Sequence, residues 1–428
     1  ILVGGDFQGR NPEIPNASIS YFGKDAVLKA DATDNGDGGK VIIWADDTTR
    51  AYGSISARGG ANGGDGGFVE VSGHRYLDFQ ARTDRSAANG RAGTLLLDPA
   101  DLTIGAADNY GGGVFSGGIF YGADVGAGSS LSWGTINTQL LAGSVAITTT
   151  GTGGSGFGDI FIATDSPDLF SGHNLGLLAH RHIDTNAKTV TNTGGGDIFL
   201  VAGWNGDTGT PSITGTVGQI SGNGNFQTAG GDFKAVAAAS IALGIITTDG
   251  VSSGTKGGDV YINAANGTLL VSRISAQGAS DGGVGGAVTL LAKDDLTIGS
   301  GGVNASGGVG AYGYGSAGGN GGYGGAVLIE SVLGTIAVNG DVISNGGLGG
   351  LGGYGYNGDD GGNGGKGGDI TLTSGSSISL AAGKTLSSMG GTGGQGGDGG
   401  EGSVGGNGGS GGKGGNITLH ADAGVGGI

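Results

Sequence analysis

The sequence contains no cysteine, few prolines and few basic residues. The lack of cysteine excludes disulfides, zinc–thiolate sites and thiol chemistry. Lys and Arg number 19 against 36 Asp and Glu, so the net charge of −17 leaves no basic stripe for a nucleic acid and disfavours an anionic membrane surface. The longest apolar run, residues 235–246, is interrupted by Ser240 and Gly244 and is too short to span a bilayer. Neither a nucleic acid nor a transmembrane segment is therefore expected.

Glycine is the abundant residue, with 110 of 428 positions. A Gly and Pro content of about 27% would indicate disorder if it had no period. Here the segments between the glycines are short and rich in β-branched and aromatic residues, which favours strands. One stretch, residues 131–142, predicts a short helical turn with Ser132 as its N-cap. The rest of the chain is predicted to be β.

A repeat of fixed core length runs through the chain. Six times, a Gly-Gly pair precedes a core with two apolar alternations separated by a turn, and a glycine-rich loop follows. The cores are residues 40–58, 232–249, 259–277, 287–306, 326–345 and 369–389. The loops after them are residues 59–67, 250–258, 278–286, 307–325, 346–368 and 390–415. Because only the loops grow, the pattern indicates stacked coils with one outward corner.

The predicted fold class is all-β, a right-handed parallel β-helix (a solenoid). A single rung cannot bury its apolar side chains, whereas stacking at roughly 4.8 Å places like residues above like. Parallel β-helices are right-handed in nearly every known case, so that hand is expected. The expected elements of residues 259–277 are strands at 260–264, 269–271 and 274–276, a turn at Asn266-Gly267 and a corner near Arg273.

Equal offsets from the Gly-Gly pairs predict the register of this stack. Residues two and four positions after each pair are expected to lie inside and above one another. These residues are Val260 and Ile262, Val288 and Leu290, Val327 and Ile329, and Ile370 and Leu372. An Asp directly after the pair is expected to align at one corner, where a stack of like charges would be costly. These acids are Asp197, Asp232, Asp259 and Asp369.

The three longest loops carry a period of three residues. Residues 390–415 repeat Gly-Gly-X, and residues 346–368 do so with aromatic and aliphatic third residues. A flexible loop has no reason to keep triplets, whereas an extended helix with three residues per turn does. We therefore expect the loops 307–325, 346–368 and 390–415 to form a polyglycine-II-like bundle. The tyrosines expected to supply apolar contacts in it are Tyr312, Tyr314, Tyr323, Tyr354 and Tyr356.

The first part of the chain resembles a known family. The segments that carry the resemblance are residues 1–9 (ILVGGDFQG), 38–46 (GGKVIIWAD), 53–60 (GSISARGG), 66–73 (GGFVEVSG) and 93–99 (GTLLLDP). They resemble large exoproteins of the filamentous-haemagglutinin type. Such proteins are exported by two-partner secretion and form long right-handed β-helices on or outside Gram-negative cells. The resemblance implies an outer-membrane exporter as partner and an internal segment downstream of the secretion domain.

The sequence divides into four blocks on this basis. Residues 1–104 carry the resemblance, and residues 105–194 are expected to form irregular rungs with insertions. Residues 195–306 are expected to form regular rungs, and residues 307–428 rungs with long glycine-rich corner loops. The last residues, 417–428, finish a strand without a polar cap, so we expect ends that favour end-to-end stacking or continuation.

Each cluster of residues that could serve catalysis or metal binding also has a structural interpretation. His180, Arg181 and His182 with Asp184 suggest a cluster, yet in a strand the two histidines share a face that Arg181 opposes. We interpret them as surface residues whose substitution leaves fold and attachment unchanged. The paired acids fall at turns or in a loop, where Asp is common for hydrogen-bonding reasons. They are Asp46-Asp47, Asp294-Asp295 and Asp359-Asp360. No catalytic, cofactor-binding or metal-binding residue is predicted.

The glycine-aspartate pattern raises the possibility of a calcium site. Residues 364–372 (GGKGGDITL) place Asp369 at the sixth position of the nonapeptide that binds Ca²⁺ in tandem repeats. The fit then fails, because Thr371 stands at position eight and the unit does not recur in tandem. No cofactor is predicted, and Ca²⁺ binding would be incidental.

Two functional classes remain open. The first is a secreted structural or adhesive β-helical surface protein, a rod or filament subunit that self-associates and meets a cell-surface or glycan target outside a Gram-negative cell. The second is a carbohydrate-active β-helix enzyme, a lyase or hydrolase. That enzyme would need several rungs to project acids, Lys and aromatics into one groove, whereas the rungs here project glycine. The sequence favours the first class, which is not an enzyme.

Overall fold

The structure, a computed structural model, is nearly all β. It describes residues 1–109, 113–116, 119–122, 128–150, 157–206, 213, 217–355, 357–422 and 424–426. The α-helix Trp133–Leu140 begins at Ser132, whose Oγ accepts a hydrogen bond from the N–H of Thr135 at 3.0 Å. The predicted helical turn and its N-cap are therefore confirmed. A 3₁₀ turn, Phe7–Gly9, lies near the N-terminus.

The chain divides into two compact units, which are built mainly from parallel strands. The first unit comprises Ile1–Val190 and Phe199–Gly222, and the second comprises Thr191–Ile198 and Asn223–Ile428. The strands Thr189–Asn192 and Ile198–Ala202 contain residues of both units. The long parallel sheets are consistent with a parallel β-helix.

The first unit has one main parallel sheet and several smaller ones. In spatial order the main sheet contains Leu2–Val3, Lys40–Ala45, Phe68–Gly73, Thr94–Pro99, Ser144–Thr148 and Leu175–Ala179. A second contains Ser129–Ser132, Leu102–Gly105, Ile160–Ile162, Ile183–Asp184 and Ile220–Ser221. Two further parallel sheets contain Ile19–Phe22, Thr48–Ala51 and Tyr76–Phe79, and Val27–Lys29, Ser54–Ser56 and Arg82–Asp84. Gly113–Ser116 and Ile119–Gly122 form an antiparallel pair.

Both faces of the main sheet are buried in this unit. On the inner face, Val41 pairs with Val69 and Val69 with Leu95, all without solvent exposure. The N-terminal segment covers part of the other face, where the N–H of Gln8 donates to the carboxylate of Glu70 at 3.1 Å. Gly9 lies so close to the ring of Trp44 that a Cβ there would collide with it. The second face therefore holds buried polar residues as well as apolar ones.

The second unit is a simpler stack. Its first parallel sheet contains, in spatial order, Phe233–Ala237, Val260–Ala264, Val288–Ala292, Val327–Ser331, Ile370–Ser374 and Ile417–Ala421. The strands of its second sheet are Asn225–Thr228, Ile241–Thr247, Leu269–Ser275, Leu296–Asn304, Ile336–Val338, Val342–Ile343, Ser377–Leu380, Leu386–Ser387 and Gly424–Gly426. Each rung thus contributes a strand to the first sheet and one or two strands to the second.

The predicted register of this stack is confirmed. Val260 pairs with Val288, Val288 with Val327, and Val327 with Ile370. The residues two positions further on pair in the same way, and all eight predicted core residues are at most 2% exposed. The period of two in each strand places these side chains on one face, and burial against the facing sheet fixes the register.

The growth of the loops is visible as sequence separation between hydrogen-bonded residues. The separation is 27 residues from Asp232 to Asp259, 39 from Ser306 to Asn345 and 47 from Asp369 to Asn416. The strand pairing keeps its register across these rungs, so the added residues leave the stack at one corner. The predicted fixed core with a variable insertion is confirmed.

One predicted break in a strand is wrong. The corner expected near Arg273 lies inside a continuous strand, Leu269–Ser275, and Arg273 pairs with Ile245 of the preceding rung. On the next rung the register shifts between Val271 and Arg273, so a bulge bends the ladder without ending it.

Candidate interaction surface

The three long glycine loops form an ordered set of layers. We call residues 307–325 the first layer, 346–368 the second layer and 390–415 the third layer. Within each layer the chain runs out and returns, and the two arms are joined by antiparallel hydrogen bonds. In the third layer the N–H of Gly409 donates to the carbonyl of Gly394 at 2.8 Å, and the N–H of Gly412 to that of Gly391 at 2.8 Å. We call the two halves the outgoing arm and the returning arm.

The first glycine of each triplet bonds to the next layer. In the outgoing arms, Gly310 N–H donates to the carbonyl of Leu348 and Gly349 N–H to that of Thr392, both at 2.8 Å. In the returning arms, Gly364 N–H donates to the carbonyl of Ser410 at 2.8 Å. The acceptor is each time the third residue of a triplet. The hydrogen bonds therefore repeat every three residues along an arm.

The second glycine of each triplet bonds to the arm before its own. Gly347 N–H donates to the carbonyl of Gly322, and Gly365 N–H donates to that of Gly347, each at 2.8 Å. The arms approach so closely that a Cβ at Gly365 would collide with the carbonyl oxygen of Gly322. Glycine is required at these positions by the neighbouring arm, and the triplets follow from that requirement.

The third residues of the triplets lie on the outside. In the outgoing arms of the first two layers they are apolar, and Leu348 is 49% exposed. In the returning arms they are mostly polar, with Tyr323 as an exception, and the polar ones form a ladder, since the Oδ1 of Asn363 accepts the N–H of Ser410 at 2.8 Å. The predicted apolar contacts of the tyrosines are found within the first layer, where the ring centroids of Tyr312 and Tyr314 are 4.7 Å apart, whereas Tyr323 and Tyr354 are 60% and 69% exposed. Tyr356 lies outside the described residues.

The acids that follow the Gly-Gly pairs accept backbone hydrogen bonds from the next rung. Asp197 Oδ1 accepts the N–H of Asp232 at 2.8 Å, and Asp232 Oδ1 accepts that of Asp259 at 2.7 Å. Asp369 Oδ1 accepts the N–H of Asn416 at 2.8 Å. The predicted alignment at one corner is confirmed, and each carboxylate offsets the charge of its stack by accepting a backbone hydrogen bond.

Acids at the other corners also accept hydrogen bonds from the following rung. Asp295 Oδ1 accepts both the N–H and the hydroxyl of Thr335, and these hydrogen bonds hold the pKa of Asp295 below its usual value. Asp341 has the same pair of bonds from Thr385, and its pKa is lowered for the same reason. These carboxylates act as fixed hydrogen-bond acceptors between rungs.

Comparison with known proteins gave no match, either to a family model or to a curated protein. Within the described ranges there is no group of three or more His, Cys, Asp or Glu side chains that could hold a metal ion. No helix in this part of the chain is long and apolar enough to cross a membrane. The function is therefore inferred from the geometry of the rungs and layers.

The predicted histidine cluster is not on a strand. Leu175–Ala179 ends before it and Ile183–Asp184 begins after it, so His180 and His182 lie in the connection between two strands. The expectation that they share a strand face is therefore wrong. Instead His180 is exposed, and His182 Nδ1 accepts the N–H of Gln219 at 3.1 Å. Arg181 pairs with Asp159.

The acids that are adjacent in the sequence likewise contact separate structural partners. Asp46 Oδ1 accepts the indole N–H of Trp44 at 3.0 Å, whereas Asp47 pairs with Arg75. Asp360 Oδ1 accepts the N–H of Asn407 at 2.7 Å in the glycine layers. Each of these acids has its own structural partner.

Two buried acids were missed by the sequence analysis. Glu70 and Asp98 lie on neighbouring strands of the main sheet without solvent exposure, and Asp98 pairs directly with Ser72. Burial raises the pKa of Glu70 to about 8 and that of Asp98 to about 7. The sequence signal was a polar residue inside an apolar strand, but alternation predicts that such a residue faces water. The cover provided by the N-terminal segment removes that water.

An open groove of about 780 Å³ in the first unit is the place where an enzyme site would be sought. It is lined by Asp65, Phe68, Arg91 and His173 among other residues. Asp65 pairs with Arg91 at 2.9 Å, and the hydrogen bonds from Arg91 lower the pKa of Asp65. A glycosidase needs a second carboxyl with a raised pKa as general acid. The acids whose pKa values are raised, Glu70, Asp78 and Asp98, have no solvent exposure, and none of them lines this groove.

Proposed function

We propose that this chain is a segment of a secreted structural or adhesive surface protein of the filamentous-haemagglutinin type, a β-helical rod outside a Gram-negative cell. The observation that carries the proposal is the use of the corner acids. Asp232, Asp295, Asp341 and Asp369 each accept a backbone N–H from the following rung. Surface acids that are engaged in hydrogen bonds between rungs support a structural role more than a catalytic one.

The export route and the hand of the coil belong to the same proposal. The resemblance of residues 1–104 to exported exoproteins supports two-partner secretion through an outer-membrane exporter. It also supports a right-handed coil. The absence of cysteine is compatible with export in an unfolded state, because no disulfide needs to form afterwards. Incidental Ca²⁺ binding stays part of the proposal, without dependence of the fold on it.

The glycine layers are proposed to be a polyglycine-II bundle. The support is the hydrogen bonding with a period of three residues, which suits a helix with three residues per turn. Among the described glycines of the three layers, only Gly315 and Gly402 have φ in the left-handed region. The other glycines are compatible with extended helices of one hand. Such a bundle projects the third residues of its triplets outward as a contact surface.

The contact surface that we propose for adhesion is the apolar outgoing side of the first two layers. It consists of Val309, Tyr312, Leu348 and Leu351, which are 46–49% exposed. Exposed apolar side chains in register on a rigid backbone are typical of interaction sites. A cell-surface or glycan target is the class of partner proposed for it.

The test displays the full chain on a non-adherent bacterium and measures attachment to host cells and to a glycan array. We expect attachment above that of the bare strain, and a loss of most of it when Leu348 and Leu351 are both replaced by Asn. A matched control replaces Val332 and Leu333, which are also exposed but lie outside the layers. Attachment equal to that of the bare strain would contradict the adhesive role. A parallel screen on polysaccharides would favour the enzyme class instead if it released products.

A further inference from the structure

A pocket of buried polar side chains lies between the main sheet of the first unit and the N-terminal turn Phe7–Gly9. Ser72 and Asp98 are paired residues on neighbouring strands, and Glu70 lies two residues before Ser72 on the same face of the sheet. The Oγ of Ser72 donates to Oε1 of Glu70 at 2.8 Å, so the carboxyl group of Glu70 is held towards the position opposite Asp98. The N–H of Gln8 donates to the same carboxyl group from the turn. We call this place the acid pocket.

Two side chains of the acid pocket lack hydrogen-bond partners. Asp98 has no solvent exposure, and within the described part of the chain neither of its carboxyl oxygens accepts a hydrogen bond. The hydroxyl of Thr148, which lies nearby, donates to the carbonyl of Leu97 at 3.4 Å instead. Gln8 is 6% exposed, and neither the oxygen nor the nitrogen of its side-chain amide has a partner among the described residues. Because buried polar groups are almost always satisfied in native proteins, these atoms indicate a bound species that completes the pocket.

The charge of the acid pocket is not balanced by the protein. Among the described residues, neither Glu70 nor Asp98 forms an ion pair with Lys, Arg or His. The charges of Arg10 and Lys40 reach the two acids only at longer range. Two carboxyl groups without solvent exposure either take up protons or require a compensating cation. Protons would neutralise the acids but would leave the amide oxygen of Gln8 without a partner, whereas a cation supplies both the charge and the partner.

We propose that the acid pocket binds one Ca²⁺ ion. Its charged ligands are the carboxylates of Glu70 and Asp98, and a charge of +2 balances them. The amide oxygen of Gln8 and the hydroxyl of Ser72 complete a set made only of oxygen atoms, which hard divalent cations prefer. Ca²⁺ accepts irregular sets of about six to eight oxygens, whereas Mg²⁺ keeps several waters that a pocket without solvent exposure excludes. These residues therefore favour Ca²⁺ over Mg²⁺.

The ion joins three parts of the first unit that are distant in the sequence. Gln8 lies in the N-terminal turn, Glu70 on one strand and Asp98 on the next. The turn also packs on the sheet through the rings of Phe7 and Phe68, whose centroids are 5.9 Å apart. Ca²⁺ stabilises the folded unit because its ligands come together only there. The site does not rest on the adhesive role, since the residues proposed for adhesion belong to the second unit.

The test measures thermal melting of the full chain at about pH 8, first after removal of metals with EDTA and then with about 10 mM CaCl₂, which exceeds the Kd of weak extracellular sites. We expect Ca²⁺ to raise the melting temperature of the first unit by about 3 °C or more, and MgCl₂ to raise it by less. The double substitution Glu70→Gln and Asp98→Asn is expected to abolish the rise. The control, Asp25→Asn with Asp34→Asn, removes the same charge from exposed positions of this unit and should keep it. An absent rise in the wild type, or an equal rise in the folded double variant at the pocket or with MgCl₂, would overturn the proposal.

A milder variant covers the case in which the double variant fails to fold. Gln8→Met keeps the length of the side chain and removes an amide that has no partner among the described residues. Without Ca²⁺ this variant is expected to melt at least as high as the wild type. Its Kd for Ca²⁺, measured by titration calorimetry, is expected to rise by about tenfold because one ligand is lost. Wild-type affinity in the folded variant would count against the site.

A measurement on the wild-type chain locates the ion. Amide exchange of the N–H of Gln8, which donates to Glu70, is expected to slow by at least about tenfold on saturation with Ca²⁺, because the ion ties the turn to the sheet. Exchange that is unchanged at saturating Ca²⁺ would place the ion elsewhere and overturn the proposal. Loss of adhesion with this response intact would instead count against the proposed function alone.

Discussion

At the scale of single residues, two sets of acids in this chain have opposite pH behaviour. Corner acids such as Asp295 and Asp341 accept hydrogen bonds from the next rung, and their pKa values are lowered. Glu70 and Asp98 are buried in the first unit, and their pKa values are raised. The first group stabilises the fold when ionised, and the second group when protonated.

The first prediction concerns a corner acid. Replacing Asp232 by Ala removes the acceptor for the N–H of Asp259 and is expected to lower the free energy of unfolding by about 1 kcal/mol. Replacing Asp232 by Asn keeps an acceptor oxygen, and the expected loss in the free energy of unfolding is at most a few tenths of the loss for Asp232→Ala. Denaturant unfolding of the two variants measures the difference. Equal losses in both would show that the charge, and not the hydrogen bond, matters.

The second prediction concerns the buried acids. Their folded pKa values, about 8 for Glu70 and about 7 for Asp98, lie above the ordinary values of 4.5 and 3.8. Stability from these groups is therefore complete below about pH 4 and is lost as pH rises through 7 and 8. We expect the melting temperature of the first unit to fall between about pH 5 and about pH 9. Between these limits Asp295 and Asp341, whose pKa values are lowered, stay ionised and contribute no slope.

The control for the pH prediction is the pair of neutral isosteres. Glu70→Gln and Asp98→Asn remove the titration while keeping the shape of both side chains. The combined variant is expected to lose this fall, and the pH dependence that remains comes from groups such as His74 and His173, whose pKa values are lowered by burial, so that stability rises with pH towards neutrality. A wild-type melting temperature that does not fall towards pH 9 would show that these acids are hydrated in solution.

At the scale of elements, two kinds of close packing hold the chain. The strands stack aliphatic residues, and Ile329 lies between Leu290 and Leu372 without solvent exposure. The loops stack glycine backbone, and the spacing leaves no room for a Cβ at Gly364. The energetic cost of a substitution in a strand or a loop therefore depends on the space that the adjacent rung or layer leaves.

The third prediction tests the stacked core. Replacing Ile329 by Asp buries an unpaired charge and is expected to cost at least about 4 kcal/mol, enough to unfold the neighbouring rungs. The same change at Leu328, which faces outward between Thr289 and Thr371, is expected to cost far less. Circular dichroism and thermal melting of the two variants give the comparison. Similar melting temperatures would mean that the two faces are equally solvated.

The fourth prediction tests the layers. Gly364→Ala is expected to disrupt the contact with Gly391 and to lower the melting temperature of the second unit by several degrees. Gly411→Ala, at the equivalent position one layer on, has open space and is expected to melt within about a degree of the wild type. A similar loss in both variants would mean that glycine entropy, and not the neighbouring arm, sets the cost.

At the scale of the whole molecule, charge sets which partners can approach. The net charge of −17 and the sequence pI of about 4.4 make the chain anionic at neutral pH. Part of the positive charge is paired, as Arg75 is with Asp47 and Arg91 with Asp65. Partners that are themselves strongly anionic are therefore disfavoured over the surface as a whole.

The fifth prediction follows from this charge. The full chain is expected not to bind double-stranded DNA, nor vesicles containing anionic lipid, even at an ionic strength of about 10 mM, where screening is weakest. Gel shift and vesicle co-sedimentation measure this. Binding that disappears with added salt would reveal a basic surface that the net charge conceals.

The sequence by itself determined the rungs, their register and the corner at which the loops leave. The offsets of Val260, Val288 and Val327 from their Gly-Gly pairs were sufficient, because a period of two and a fixed core length allow one register. The helix N-cap at Ser132 was equally local. These features depend on short-range patterns that each rung repeats.

Only the tertiary structure decided what each rung contacts. The corner acids face a backbone N–H that arrives from a residue 27 to 47 positions away, so the expected cost of stacked charges could not be weighed from the sequence. The burial of Glu70 depends on a covering segment distant in the chain. The space at a glycine is also set by the stack, since a Cβ at Gly364 would collide with the carbonyl oxygen of Gly391 whereas one at Gly411 would not. Local pattern fixes a rung, whereas contact between rungs depends on distant parts of the chain.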